Sequence, residues 1–100
     1  MYDIKQTIQF SSWLKKLKDV KGKVSIIRRI DRIRVGNFGD YKSVGENISE
    51  LRFTTGPAYR VYYTKVEDKI VLLLIAGDKS SQKEDIKKAK ELAKEYLNEK

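Results

Sequence analysis

The sequence predicts an α+β fold: a mainly antiparallel sheet with an N-terminal helical hairpin and a C-terminal helix. Residues 48–76 contain three short runs rich in β-branched and aromatic residues, separated by compact turns. Residues 7–35 carry apolar side chains at helical spacing, and residues 81–100 repeat that pattern after a capping signal. The predicted element order is β-α-α-β-β-β-α, in a single domain that spans residues 1–100.

The N-terminal part is predicted to be mostly helical. Met1–Lys5 is expected to form a first strand, and Thr7–Asp19 a first helix. The apolar stripe of this helix consists of Phe10, Trp13, Leu14 and Leu17. Glycine is unfavourable inside helices, so Gly22 is expected to interrupt the chain before a second helix that ends near Val35. So short a break joins two helices as a hairpin.

The C-terminal part is predicted to form the sheet. Glycines and an asparagine at residues 36–40 indicate a loop, which continues to about Glu46. The three strands that follow are Ile48–Thr54, Tyr59–Val66 and Lys69–Ala76. The third is apolar on both faces, so we expect it at the centre of the sheet. Ser81 and Glu84 fit a capping box that begins an amphipathic helix to the C-terminus, and the helices are expected to leave one sheet face open.

The chain is strongly basic. Its 22 lysines and arginines exceed its 14 acidic residues by eight, which gives a net charge of +8. Such a charge on a small domain indicates a polyanionic partner, either a nucleic acid or an acidic protein. Arginines cluster in the second helix, and their planar guanidinium groups suit phosphate. The side chains expected to contact RNA, the ribosome or an acidic protein are those of Arg28, Arg29, Arg32 and Lys42.

The composition excludes several classes of site. The chain has no cysteine, so a disulfide framework and a thiolate metal site are both impossible. It has no histidine, which removes the commonest general base and the Ser-His-Asp triad. The acidic residues lack metal-ligand spacing and no Walker-type phosphate loop occurs, so no cofactor is expected. No apolar run approaches the roughly 20 residues that span a bilayer, and we expect a soluble, cytoplasmic protein.

Three charged residues suggest a phosphate-binding side of the sheet. A charge inside a strand points away from the core, toward solvent or a ligand. Arg52 and Arg60 lie inside the first two strands of this set, and Lys79 lies just beyond the third. RNA cleavage suits these residue types because the 2′-hydroxyl of the substrate supplies the nucleophile. The structural alternatives are ion pairs of either arginine with Glu50, and a turn-shaping role for Lys79.

Four segments that run nearly end to end carry a family resemblance. They are FSSWLKKLKD, RIDRIRVGNFGDYKSVGENISELRF, GPAYRVYY and LLLIAGDKSSQKEDIKKAKEL. Together they resemble the RelE/ParE superfamily of bacterial toxins, specifically the HigB-like addiction module killer proteins. Departures occur at Ala58 and Ala76, where glycine is usual. The resemblance implies a small RelE-like fold and a toxin that is neutralised by an antitoxin encoded beside it.

The resemblance also implies site residues. Arg60 matches the arginine that contacts the scissile phosphate in RelE-like nucleases, and Arg52 matches the basic residue of the preceding strand. Lys79 falls near a second phosphate-stabilising arginine. Two lysines of the best-known nucleases fall here at Ile48 and Glu50, and their C-terminal tyrosine has no clear match.

Proton transfer must then use other groups. We assign it to Lys79 or to Tyr62, which shares the strand face of Arg60; a carboxylate or an rRNA group is the alternative. The function implied is a metal-independent, ribosome-dependent mRNA endoribonuclease that uses the RNA 2′-hydroxyl as nucleophile. ParE-type members share the fold but poison DNA gyrase, so the alternative function is non-enzymatic inhibition of gyrase or another protein.

Overall fold

The computed structural model describes residues 1–54 and 56–98. Its elements in chain order are β1 (Asp3–Gln6), α1 (Ile8–Lys16), α2 (Val20–Ile33), β2 (Tyr41–Gly45), β3 (Ile48–Arg52), β4 (Arg60–Val66), β5 (Ile70–Gly77), a 3₁₀ helix (Lys79–Ser81) and α3 (Gln82–Asn98). The five strands form one sheet in the order β1-β5-β4-β3-β2. Every strand pair is antiparallel except β1–β5, which is parallel. The predicted α+β fold class is confirmed, and the last two residues of the predicted C-terminal helix lie outside the described residues.

One strand occupies a stretch that was predicted as loop. β2 pairs with β3 through a two-residue turn at Glu46 and Asn47, whose φ angles are 52° and 64°. Turns with two positive φ angles match the twist of a hairpin. A pair of positive φ angles, 56° and 55°, also occurs at Glu67 and Asp68 in the loop between β4 and β5, where a hairpin was predicted. The loop prediction is therefore wrong for residues 41–45.

Helices cover both faces of the sheet, so the expectation of one open face is wrong. Between the α1–α2 side and the sheet lies a core that includes Phe10, Ile26, Ile33, Leu51, Val61 and Leu73. Between α3 and the opposite face lies a second core that includes Ile48, Tyr62, Leu74, Ala89 and Leu92. Alternate residues of β3, β4 and β5 supply the two cores. β5 lies inside the sheet, between β1 and β4, as its apolar sequence predicted.

The break between the first two helices lies at residues 17–19, so the prediction that Gly22 forms it is wrong. Asp19 caps α2, and its carboxylate accepts a hydrogen bond of 3.1 Å from the Gly22 amide. The Tyr59 hydroxyl donates a second bond of 2.8 Å to the same carboxylate. The two bonds lower the pKa of Asp19, the amide bond contributing more. This position inside α2 is a glycine because the Tyr59 ring packs closely against it and leaves no space for a Cβ atom.

The start of α3 also differs from its predicted capping box. The Ser81 hydroxyl donates to the Asp85 carboxylate at 2.6 Å, and the Asp78 carboxylate accepts from the Ser80 amide at 2.8 Å. Asp78 therefore caps the short 3₁₀ helix that leads into α3. None of the described helices is long and apolar enough to cross a membrane.

Gly22→Ala should destabilise the protein by about 1–3 kcal/mol, the usual cost of overpacking. The added methyl group would lie 2.5 Å from Cε2 of Tyr59 and 2.7 Å from Oδ2 of Asp19, so the ring or the cap must move. At an open helical position the same change would stabilise by roughly 0.5–1 kcal/mol. Denaturant unfolding measures the change, with Lys21→Ala, at the exposed neighbouring position in the same helical turn, as control. A variant as stable as the wild type would show that the ring does not constrain this position.

Candidate functional site

The predicted cationic residues lie at one end of the sheet. Arg52 ends β3 and Arg60 begins β4, and the register places them directly opposite each other. Gly77, at the end of β5, lies opposite Arg60 on the other side, and Lys79 follows two residues later. Like charges directly opposite in a sheet are destabilising. The two arginines therefore need carboxylate partners, or an anionic ligand, at this end of the sheet.

Arg60 is held on two sides. Its side chain is 13% exposed, and Nη1 donates to the carbonyl oxygens of Ala58 and Tyr59, each at 3.2 Å. Its Nε lies 4.0 Å from Oε2 of Glu50, whose side chain is only 2% exposed. Oε1 of Glu50 accepts a hydrogen bond of 2.9 Å from Nε2 of Gln82, the first residue of α3. The guanidinium is thus fixed by the chain before β4 and faces a buried carboxylate.

Arg52 and Lys79 are more accessible. Nε of Arg52 lies 3.6 Å from Oδ2 of Asp40, and the two side chains are 40% and 57% exposed. The observed partner of Arg52 is therefore Asp40 and not Glu50. Ion pairs this exposed contribute about 0–1 kcal/mol, so a phosphate can replace the carboxylate at small cost. Lys79 is exposed on the 3₁₀ helix and lines a shallow groove with Pro57.

Tyr62 is completely buried and lies on the same strand face as Arg60. Its hydroxyl makes no well-formed hydrogen bond with any residue of the described ranges. Burial above all, and then the nearby charge of Glu50, raise the pKa of Tyr62 well above 10. The phenol therefore stays protonated at neutral pH, which suits a hydrogen-bond donor and disfavours the tyrosinate base considered from the sequence.

Tyr62→Phe should increase the free energy of unfolding by about 1 kcal/mol or more, because it removes a buried hydroxyl that has no good partner. Tyr63→Phe is the matched control, since Tyr63 is also a buried residue of β4 but its hydroxyl interacts with Ser49, so its removal should destabilise. Denaturant unfolding of both variants measures the two opposite changes. A loss of stability in Tyr62→Phe would reveal a real bond between the hydroxyl and Glu50.

The arginines of α2 differ in their contacts and do not form one cluster. Arg29 donates to the carbonyl oxygens of Arg52 at 3.1 Å and Asp40 at 3.3 Å, and its guanidinium lies 4.4 Å from the centre of the Phe53 ring. These contacts tie α2 to the end of β3, so Arg29 supports the site and is not a free surface charge. Lys42 is exposed on the edge strand β2.

Arg28 and Arg32 line an open groove along α2, which Arg29 also borders. Apolar side chains share the groove or lie beside it: Val20 is 71% exposed, Val24 41% and Ile27 43%. Their spacing of four and three residues forms one stripe on the helix. We call Val20, Val24, Ile27, Arg28 and Arg32 the α2 stripe.

Two residues gain importance from the structure. Glu50 was considered from the sequence only as an ion-pair partner or a base, although its place two residues before Arg52 predicts the same strand face. Gln82 carries no sequence signal, because its contact with Glu50 depends on how α3 packs on the sheet. Within residues 1–54 and 56–98, no group of three or more acidic residues could hold a metal ion.

Comparisons with known proteins identify the family and the fold. The family model described as phage derived protein Gp49-like matches residues 12–98. An uncharacterized protein of Haemophilus influenzae is 52% identical over 92 residues, which cover 92% of this chain and 93% of that protein.

Two solved structures share the fold at low identity. The isolated RelE toxin of E. coli has a TM-score of 0.66 at 14% identity and covers 87% of this chain and 97% of its own. A chain of the intact E. coli RelBE toxin–antitoxin complex has a TM-score of 0.64 at 11% identity and covers 78% of this chain and 96% of its own. The protein therefore belongs to the Gp49-like family and has the RelE-like fold that its sequence resemblance predicted.

Proposed function

We propose that the protein is the toxin of a type II toxin–antitoxin module and a HigB-like, ribosome-dependent mRNA endoribonuclease that works in the cytoplasm. The RelE-like fold supports a toxin, because the E. coli proteins that share it are a toxin alone and a toxin with its antitoxin. The observation that carries the nuclease is the pair of arginines, Arg52 and Arg60, facing each other at one end of the sheet. Such a pair is a ready receptor for a phosphate.

The chemistry requires no cofactor. The RNA 2′-hydroxyl attacks the neighbouring phosphorus; the new O2′–P bond forms as the P–O5′ bond breaks, leaving a cyclic phosphate and a 5′-hydroxyl. Arg60, already oriented, stabilises the charge that grows on the non-bridging oxygens. Arg52 leaves its weak pair with Asp40 and adds a second cation. Holding the phosphate in this way also aligns the attacking oxygen.

Two proton transfers complete the reaction, from the 2′-hydroxyl and to the departing 5′-oxygen. Lys79 is the remaining side-chain base of the two inferred from the sequence, because the Tyr62 phenol is held protonated. Tyr62, buried on the strand face of Arg60 and opposite Glu50, is left with a structural role in the site.

A second candidate is a non-enzymatic inhibitor of DNA gyrase or another protein. Glu50 favours it, because a buried carboxylate occupies a position where the best-known nucleases have a lysine. The α2 stripe also favours it, since exposed apolar side chains suit a protein surface better than RNA. Under the nuclease proposal, the same stripe is the site of the antitoxin. An acidic, amphipathic antitoxin segment would cover its apolar residues and pair with Arg28 and Arg32.

Induced expression of the chain in bacteria, followed by mapping of mRNA 5′ ends, tests the proposal. We expect growth arrest that co-expression of the neighbouring open reading frame relieves, and cuts in phase with codons. Intact mRNA together with accumulated gyrase–DNA cleavage complexes would support the second candidate. Normal growth at verified high expression would contradict a toxin of either kind.

A further inference from the structure

We infer that Glu50 is a positioning residue that orients Arg60 for the phosphate and couples it to the first turn of α3 through Gln82. The inference deepens the proposed nuclease function and rests on it. No assigned role explains Glu50, whose side chain is nearly as buried as the core residues beside it. A buried carboxylate is strongly unfavourable unless it is paired and hydrogen-bonded.

The two carboxylate oxygens of Glu50 have different partners. Oε1 accepts the hydrogen bond from Gln82 at 2.9 Å, which fixes the carboxylate against the start of α3. Oε2 faces Nε of Arg60 at 4.0 Å, which is an ion-pair distance but too long for a hydrogen bond. The carboxylate is therefore rigidly held on one side and presents charge to the guanidinium on the other.

The hydrogen bonds and the ion pair of Arg60 determine which nitrogen of its guanidinium remains available to a ligand. Nη1 is engaged by the carbonyl oxygens of Ala58 and Tyr59, and Nε faces Glu50. No hydrogen bond within the described part of the chain engages Nη2. A ligand phosphate would therefore meet Nη2, at an angle that the carboxylate and the two carbonyl oxygens set. Ala58 adopts a φ of 60°, so this stretch of backbone holds an uncommon conformation to place its carbonyl oxygen there.

Two buried polar groups of the site lack good hydrogen bonds, which is not expected of an ion pair that serves only to stabilise the fold. Nε of Arg60 and the hydroxyl of Tyr62 are both buried, and neither makes a well-formed hydrogen bond with any of residues 1–54 and 56–98. Both groups lie at Glu50: the register places Tyr62 directly opposite it, and Nε is its ion-pair partner. Unsatisfied buried groups cost stability and need an explanation. The orientation of Arg60 for the reaction provides that explanation.

Positioning predicts a specific kinetic pattern for Glu50→Gln. Glutamine keeps the size of the side chain and its contact with Gln82, but it removes the charge that Arg60 faces. RNA should bind as well as before or better, because the site gains one net positive charge. Arg60 should lose its alignment, and displacements of about 1 Å cost on the order of 100-fold in rate. We expect kcat to fall about 10- to 100-fold while KM is unchanged or lower.

Glu46→Gln is the matched control. Glu46 pairs with Lys90 at 3.3 Å and is 55% exposed, so the variant makes the same change in charge at a surface position. Its kcat and KM should stay within about twofold of the wild type. The NMR resonance of the Arg60 Nε–H group, assigned by its absence in Arg60→Lys, gives a second readout on the free protein. It should move in Glu50→Gln and stay unchanged in Glu46→Gln.

Two results would overturn the inference: wild-type kcat in Glu50→Gln, or a fall in kcat with an unmoved Arg60 resonance. If Glu50→Gln does not fold, Gln82→Ala takes its place, because it removes the anchor and retains the carboxylate. Gln82→Ala should lower kcat and move the Arg60 resonance, each by less than Glu50→Gln does. Wild-type values for both would overturn the inference. A wild-type protein that cleaves no RNA would refute the proposed function, whereas the resonance would still decide whether Glu50 orients Arg60.

Discussion

Arg60→Gln is expected to reduce cleavage of ribosome-bound mRNA by at least about 10²–10³-fold, the usual loss when one preorganised donor to a developing charge is removed. Among the predicted catalytic residues Arg52, Arg60, Lys79 and Tyr62, only Arg60 combines a largely buried guanidinium with bonds that hold it in one orientation. Glutamine is the informative replacement. Alanine would remove both the counter-charge of the buried Glu50 and the polar group that faces its Oε2, and the loss of fold stability would obscure the loss of chemistry.

Single-turnover cleavage of a defined mRNA on purified ribosomes measures the effect. Arg34→Gln is the matched control, because Arg34 is half-exposed and forms only a surface pair with Asp31 at 3.8 Å. Arg52→Gln and Lys79→Gln should show smaller losses than Arg60→Gln, since both side chains are more accessible and less fixed. Full activity of Arg60→Gln, with the fold verified by thermal unfolding, would remove the site proposed here.

The strands of the site were predictable because their signals are local. The runs that became β3, β4 and β5 are short, rich in β-branched and aromatic residues and bounded by turn residues, and the turn at Glu67 and Asp68 has hairpin length. β2 carries no such signal. As an exposed edge strand it has no buried face, and its turn uses Glu46 and Asn47 in place of an Asn-Gly pair.

The expectation of an open sheet face failed for a physical reason. It rested on Arg52 and Arg60, which lie at strand ends, where a face can be polar even though its middle is covered. Further along the same face come Ile48, Tyr62, Leu72 and Leu74, which form the core beneath α3. Apolar residues on both faces of β5 already indicated helices on both sides. Charge at the end of a strand is therefore a poor guide to exposure of the whole face.

The contacts that complete the site are non-local and were not predictable from one sequence. The opposition of Arg52 and Arg60 depends on the register of β3 and β4, which a connection of several residues does not set in the way that a two-residue turn does. The sequence alone predicts a helix break at Gly22 because its close neighbour, Tyr59, is remote in sequence. The bond between Glu50 and Gln82 likewise joins residues 32 positions apart.

The α2 stripe leads to the second large expected effect. Val24→Asp should weaken antitoxin binding at least about 100-fold, because an unpaired charge buried in an interface costs roughly 3–5 kcal/mol. Val24 lies in the centre of the stripe, one turn after Val20 and one turn before Arg28. If the covering segment is acidic, repulsion adds to the desolvation cost. The fold should be unaffected, because 41% of the Val24 side chain is already exposed.

Calorimetric titration of the purified toxin with the protein encoded by the adjacent open reading frame measures this affinity. Ile8→Asp is the control, since Ile8 is 80% exposed at the start of α1, where an acidic residue suits the helix dipole. In cells, the Val24→Asp toxin should still arrest growth, and antitoxin levels that rescue the wild type should fail to rescue it. That pattern would separate the surface that binds the antitoxin from the arginine pair that acts on RNA. Unchanged affinity, with loss of ribosome binding instead, would show that the stripe meets rRNA and that the antitoxin covers another face.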